Sequence, residues 1–209
     1  MSLAAPALQP AMSLWGADLT WLELVAVVLS LVMVALNLRV NPWAWPFAIA
    51  ASMLYAILFA HYRLYGESAL QGLFIVVSLW GWWQWLRGTD AHHRPLVVRV
   101  LSRQGVGGIL LAWAVLWVAI GLLLDHITDS DVPYWDAWPT AGSVVGQYLL
   151  ARKWVENWPV WLAVNLISVG LFAYKGMWLT VVLYGMFAVL SVWGWRAWRQ
   201  LAADATGRR

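Results

Sequence analysis

Residues 70–85 read LQGLFIVVSLWGWWQW, and residues 183–198 read LYGMFAVLSVWGWRAW. The two stretches lie 113 positions apart and agree, without a gap, at nine of sixteen places: Leu70/Leu183, Gly72/Gly185, Phe74/Phe187, Val76/Val189, Ser78/Ser191, Trp80/Trp193, Gly81/Gly194, Trp82/Trp195 and Trp85/Trp198. The same shift carries Trp45-Pro46 onto Trp158-Pro159, Leu58-Phe59-Ala60 onto Leu171-Phe172-Ala173, and Arg39 onto Arg152. One register held from Arg39 to Trp85 marks an internal duplication. Both copies are apolar, so the duplicated unit is a set of helices made for lipid.

Composition agrees. Of 209 residues, 63% are hydrophobic and 11% charged, against roughly 25% charged in a soluble domain. A helix crossing a bilayer needs about 20 apolar residues. Apolar runs of that order fall at Trp21–Leu38, Trp45–Tyr62, Ala69–Leu86, Gly107–Leu124, Ala137–Leu150, Trp158–Tyr174 and Trp178–Trp198. The fifth is the weakest, diluted by Thr140, Ser143 and Gln147. The expected fold is an all-α membrane protein with seven transmembrane helices. Repeat one covers 20–86, a linker helix about 107–124, and repeat two 133–199. An N-terminal segment, 1–19, and a tail, 200–209, flank them. The N-terminal segment holds no Lys or Arg, so it does not read as a cleavable signal.

Charge orients the chain. With an external N-terminus, Arg39, Arg87, Arg94, Arg99, Arg103, Arg152, Lys153, Arg196, Arg199, Arg208 and Arg209 share one side, and Arg63 and Lys175 the other. Eleven against two is a strong cytoplasmic bias, so the C-terminus is expected inside. One linker span between three-helix units returns the chain to its starting side, which makes the repeats parallel (3+1+3). Parallel repeats place a solute path on the axis between them. The net charge of +3 is spread over loops and does not read as a nucleic-acid surface.

Positions that differ between the copies are where an asymmetric solute would be read. They include Gln71 against Tyr184, Ser52 against Asn165, Ala48 against Trp161 and Val34 against Gln147. Trp158, Trp161 and Asn165 stand at i, i+3 and i+7, so one helical face offers two indoles and an amide. Indoles stack on flat rings, and amides bond hydroxyls or carboxamides. Amides inside apolar spans, as at Gln71, Gln147 and Asn165, must face protein, water or ligand. Most of the 19 tryptophans have a simpler role as interfacial belt residues, Trp43 among them. The chain has no cysteine, and its four histidines show no metal-ligand spacing. No phosphate loop, nucleophile elbow or paired intramembrane carboxylates occur, so the expectation is no catalytic site, no metal and no cofactor. Glu23 is the one acid inside an expected span, in its first turn. With no buried proton relay, passive movement is favoured over proton coupling.

The stretch ENWPVWLAVN at 156–165, with Arg63-Leu64-Tyr65, Gln71 and the two G-W-x-x-W ends, resembles the PnuC family of bacterial vitamin transporters over about residues 20–199. That resemblance implies uptake of nicotinamide riboside across the cell inner membrane, or in relatives of thiamine, riboflavin or deoxynucleosides. It also implies a 3+1+3 fold related to SWEET sugar transporters, a homotrimer, and facilitated diffusion followed by trapping through cytoplasmic phosphorylation. Matched by motif, Trp158, Trp161 and Asn165 correspond to the family's substrate-contacting helix. Gln71 and Gln147 lie at matching polar positions, and Tyr184 is added to them. Competing readings are a membrane-embedded enzyme and a substrate-binding subunit of an energy-coupled transporter.

Overall fold

Thr20 and Glu23 start the first helix. In the computed structural model, which describes residues 9–14, 17–61, 65–90, 93–127, 132–174 and 178–207, the Thr20 hydroxyl accepts the Glu23 N–H at 3.2 Å. Glu23 Oε2 accepts the Thr20 N–H at 3.1 Å. This reciprocal cap satisfies two donors that a helix start leaves open. Glu23 is therefore a capping group, engaged at the helix end. Ahead of it, Pro10–Leu14 (β1) and Ala17–Thr20 (β2) pair as a short antiparallel hairpin, an element the expected all-α fold did not include.

Seven helices follow among the described residues: α1 (Trp21–Leu38), α2 (Ala44–His61), α3 (Tyr65–Arg87), α4 (Arg103–Ile127), α5 (Pro133–Ala151), α6 (Asn157–Tyr174) and α7 (Trp178–Gly207). The helix starts of α3, α4 and α5 lie four residues upstream of the expected apolar runs, because apolarity marks the lipid-crossing part and not the helix end. α7 runs on to Gly207, so most of the 200–209 tail is helical. Leu201, Ala202, Ala203 and Ala205 are good helix formers that extend it. Thr140 and Ser143, which dilute α5, donate back to the carbonyls of Asp136 and Pro139 at 2.9 and 2.8 Å. Their hydroxyls are thus satisfied within the helix.

The chain forms two compact units, Met1–Gly88 and Thr89–Arg209. In the first, α2 packs against α1 and α3. In the second, α5 packs against α4 and α6, and α6 against α7. The helix expected as the linker, α4, packs on α5 within the second unit. Trp113 joins the core of Ala141, Val145, Leu149, Val160 and Val164, and its Nε1 donates to the Trp138 carbonyl at 3.2 Å.

The duplication recurs in three dimensions within each unit. α2 and α6 start and end 113 positions apart, and α3 and α7 start 113 apart. Each of the turns before α2 and α6 holds a non-glycine residue at positive φ, Val40 at 53° and Lys153 at 56°. The turn bonds also coincide: Val40 N to Asn37 O with Lys153 N to Leu150 O, and Asn41 N to Leu36 O with Trp154 N to Leu149 O. Trp45 meets Trp85 edge-on at 5.5 Å and 89°; Trp158 meets Trp198 edge-on at 5.7 Å and 83°. In both copies the first indole lies directly over a glycine, Gly81 or Gly194. Side chains and backbone therefore repeat together.

A feature of the second unit has no counterpart among the described residues of the first. In the second unit the strand-like segment before α4 crosses the α5–α6 turn. The Arg99 N–H bonds the Lys153 carbonyl at 3.1 Å, and the Val155 N–H bonds the Arg99 carbonyl at 3.0 Å. The Arg99 guanidinium lies 3.9 Å from the Trp154 ring centroid, and Lys153 Nζ donates to the Leu96 carbonyl at 3.0 Å. Burial lowers the pKa of the Lys153 ammonium; burial, then the Arg152 charge, lowers that of Arg99 against the opposing pull of Asp90 and Tyr148.

Large apolar side chains stand exposed along the helices, among them Val28, Ile57, Val76, Leu111, Leu123, Leu166 and Val189. Such faces need lipid or protein against them. Among the described residues, five helices, α1, α2, α4, α6 and the Thr180–Ala205 part of α7, are long and apolar enough to cross a membrane. α3 reads as less apolar because it carries Trp80, Trp82, Trp83, Trp85 and two glutamines, and α5 because of its hydroxyls, Asp136 and Gln147.

Candidate functional site

The face of α6 that begins at Trp158 runs on through Trp161, Asn165, Ser168 and Phe172 at helical spacing. α6 lies against both α5 and α7, so this face is shared between two neighbours. The structure separates the three residues that spacing had grouped.

Trp158 turns to α7. It is 3% exposed, with its ring over Gly194 and edge-on to Trp198. Its Nε1 is buried without a hydrogen-bond partner, as is Nε1 of its counterpart Trp45. Both are held as packing groups, and the Trp158 ring is covered by its own unit.

Trp161 turns to α5 and is half-buried. A Cβ at Gly146 would lie 3.0 to 3.3 Å from its ring atoms, a tight contact that would press the indole back by a few tenths of an ångström. The first copy inverts the sizes: Ala48 stands where Trp161 does, and Met33 where Gly146 does. Gly142 and Gly146 form a G-x-x-x-G pair, a signal for close helix approach that sequence reasoning missed.

Asn165 is 5% exposed, and its Nδ2 donates to Ser191 Oγ on α7 at 3.3 Å. Ser191 in turn donates to the Phe187 carbonyl at 2.8 Å. Ser168, one turn on, is also buried. Tyr184 is half-buried beside Phe172, ring centroids 5.1 Å apart, and Phe187, 6.2 Å. Gln147 is half-buried on α5, next to the glycine beneath Trp161. Gln71 belongs to α3 of the first unit and is half-buried there. The side chain of Tyr65 and residues Arg63 and Leu64 lie outside the described residues.

The second unit thus holds Trp161, Asn165, Gln147 and Tyr184 on three adjoining helices. Among the described residues, no group of three His, Asp or Glu side chains is placed to hold a metal. A shallow groove of about 470 Å³ on α4, lined by Ala114, Val115, Val118, Ala119 and Leu122, offers no polar side chain and suits lipid. An indole, an amide and a phenol in an otherwise apolar setting can bind a flat polar solute.

Known proteins match this chain along nearly its whole length. The family described as nicotinamide mononucleotide transporter matches residues 20–200. The riboflavin/roseoflavin transporter RibM of Streptomyces davaonensis is 33% identical, covering 88% of this chain and 87% of its own. The nicotinamide riboside transporter PnuC of Escherichia coli is 27% identical, covering 92% and 91%. The crystal structure of the vitamin B3 transporter PnuC superposes with a TM-score of 0.73 at 24% identity, over 88% of this chain and 83% of the other. The fold is thus that of an all-α, multi-pass membrane protein, and the chain belongs to the nicotinamide mononucleotide transporter family.

Proposed function

We propose that this protein carries a flat heteroaromatic vitamin with a hydroxylated side chain into the cell by facilitated diffusion. The observation that carries the reading is the placement of Trp161 and Asn165. One is an indole half-buried over Gly146, the other an amide anchored on Ser191, and both replace small residues of the first copy, Ala48 and Ser52. Stacking on indole and hydrogen bonding to an amide suit an aromatic ring with hydroxyls attached. Nicotinamide riboside and riboflavin both have that chemistry. The cationic ring of nicotinamide riboside gains further from an indole face. The 33% identity to a riboflavin/roseoflavin transporter, against 27% to a nicotinamide riboside transporter, favours riboflavin. Gln147 and Tyr184 are proposed to complete the recognition of the solute in the second unit, and Gln71 is proposed as a solute contact of the first. Phosphorylation of the imported vitamin in the cytoplasm would keep the inward gradient. A homotrimer is the proposed assembly.

Purified protein in sealed liposomes tests this reading. Exchange of riboflavin or nicotinamide riboside, without ATP or an imposed ion gradient, is the expected result. Uphill accumulation of the unmodified vitamin would overturn uniport, and a requirement for ATP would favour the energy-coupled subunit.

The basic residues set the proposed orientation, N-terminus outside and C-terminus in the cytoplasm. A reporter active only in the cytoplasm is expected to work after Arg209 and near Thr89, and to fail near Ser130. Activity at Ser130 would refute seven crossings.

A further inference from the structure

We propose that Ser191 is a positioning residue: it fixes the Asn165 amide with its carbonyl oxygen toward the solute, so that this point of the site selects a hydrogen-bond donor. The inference rests on the reading of Asn165 as a solute contact and adds to it a direction and a second residue.

The Ser191 hydroxyl has a single proton to donate. Ser191 is 3% exposed, and its hydroxyl donates to the Phe187 carbonyl one turn back, at 2.8 Å. With that proton committed, Oγ has only lone pairs for any other neighbour. The neighbour across the helix interface is the Asn165 side chain at 3.3 Å. An amide can present its NH₂ or its oxygen. Oxygen against the Ser191 lone pairs would repel and leave two buried acceptors facing one another. The NH₂ therefore faces Ser191, and the bond chemistry assigns the amide orientation. Oδ1 is then on the other arm of the amide, and hydrogen bonding of Asn165 among the described residues is through Nδ2 alone.

An amide oxygen held away from bulk water gains from a donor. The group that best meets it is an N–H or O–H of the solute. A flat vitamin offers ring imide N–H, carboxamide NH₂ or hydroxyl groups, and methylating the imide or carboxamide nitrogen removes that N–H donor while leaving the hydroxyls in place.

The duplication supports this division of roles. A buried serine stands at both copies of the position, Ser78 at 1% and Ser191 at 3% exposure. Only the second copy places an asparagine across from it in sequence register; the first has Ser52. The serine is thus common to both copies, and the amide it orients is particular to one.

The test is a titration of purified parent and variants with riboflavin and N3-methylriboflavin, and with nicotinamide riboside and its N,N-dimethylcarboxamide analogue. The pair to be compared is that of the parent vitamin bound. In the parent protein, methylating the contacted donor is expected to weaken binding about tenfold or more. In Ser191→Ala the amide is free to turn, and the ratio between the two ligands is expected to fall to about twofold or less. Ser191→Thr keeps the hydroxyl and is expected to restore the ratio. Ser78→Ala, the same repeat position in the first unit, is expected to leave it unchanged. Should Ser191→Ala fail to fold, Ser191→Cys makes the same comparison, because a thiol is a weak acceptor and donor.

The outcomes separate the two claims. If Asn165→Ala binds like the parent, Asn165 is not a solute contact and both claims fall. If Asn165→Ala weakens binding while Ser191→Ala keeps the parent's ratio, the solute contact stands and the positioning role is overturned. Equal weakening of all ligands in Ser191→Ala, with the ratio intact, also overturns it, since that is what mere packing would produce.

Discussion

Trp158→Ala is expected to cost the second unit a large part of its stability, whereas Trp161→Leu leaves it folded and weakens solute binding. The two tryptophans stand three residues apart on one helix, yet their surroundings differ. Trp158 is 3% exposed, lying over Gly194 and against the edge of Trp198. Truncating a fully buried Trp costs about 3–5 kcal/mol, a large part of the roughly 5–15 kcal/mol that holds a typical domain together. Trp45→Ala is expected to do the same to the first unit through Gly81 and Trp85. Trp161 is only half-buried, and leucine keeps apolar volume over Gly146 while removing the aromatic face. Stacking of a base on an aromatic side chain contributes about 1–3 kcal/mol, which corresponds to a loss of roughly five- to more than a hundredfold in affinity. Trp43→Ala, at a position 65% exposed, serves as the control and is expected to change neither property. Thermal midpoints in detergent report the first effect, and titration with riboflavin and nicotinamide riboside the second. If Trp161→Leu folds and binds like the parent protein, its indole is a packing group and the proposed site is wrong.

That contrast marks what the sequence could reveal. The duplication was legible because both copies solve one packing problem with the same residues: Trp45 over Gly81 and Trp158 over Gly194. Helix number was legible because lipid demands long apolar runs, and the bounds of α1 follow those of its run. The starts of α3, α4 and α5 were not, because their first turns lie outside the apolar stretch. Glu23 looked like a lone acid in a span until its cap with Thr20 was seen. Helical spacing put Trp158, Trp161 and Asn165 on one face of α6. Spacing cannot say that α6 has a neighbour on each side of that face, one taking Trp158 and Asn165 and the other Trp161. Gly142 and Gly146 carried the missing signal. Each replaces a larger residue of the first copy, Leu29 or Met33, and the Met33 to Gly146 exchange matches that of Ala48 for Trp161. Size exchange between the copies was thus as informative as the polarity exchange at Ser52 and Asn165.

The glycines shared by both copies divide into two kinds, and alanine substitution is expected to shift stability in opposite directions at the two. At Gly81 and Gly194 an added Cβ would fall within the rings of Trp45 and Trp158, closer than nonbonded atoms approach. Neither indole has room to retreat, since Trp45 is 1% and Trp158 3% exposed, and each is held edge-on by a second tryptophan. Overpacking of this kind costs about 1–3 kcal/mol or more, only partly offset by the roughly 0.5–1 kcal/mol that alanine gains over glycine inside a helix. At Gly72 and Gly185 the added Cβ would meet nothing within 4 Å. The helix gain then acts alone, and Gly72→Ala and Gly185→Ala are expected to be neutral or stabilising by up to about 1 kcal/mol. The sequence treats the two pairs alike, as identical small residues in a repeat, so the sign of the effect comes from the structure. A second-site change adds a direct check. Trp158→Phe in the Gly194→Ala background makes room for the new methyl, and the double variant is expected to be more stable than the sum of the two single changes, a coupling of about 0.5–3 kcal/mol. Thermal midpoints of the six variants give the result. Equal stability of Gly194→Ala and Gly185→Ala would show that the indole does not rest on the α7 backbone, and with it would go the account of why both copies keep G-W-x-x-W.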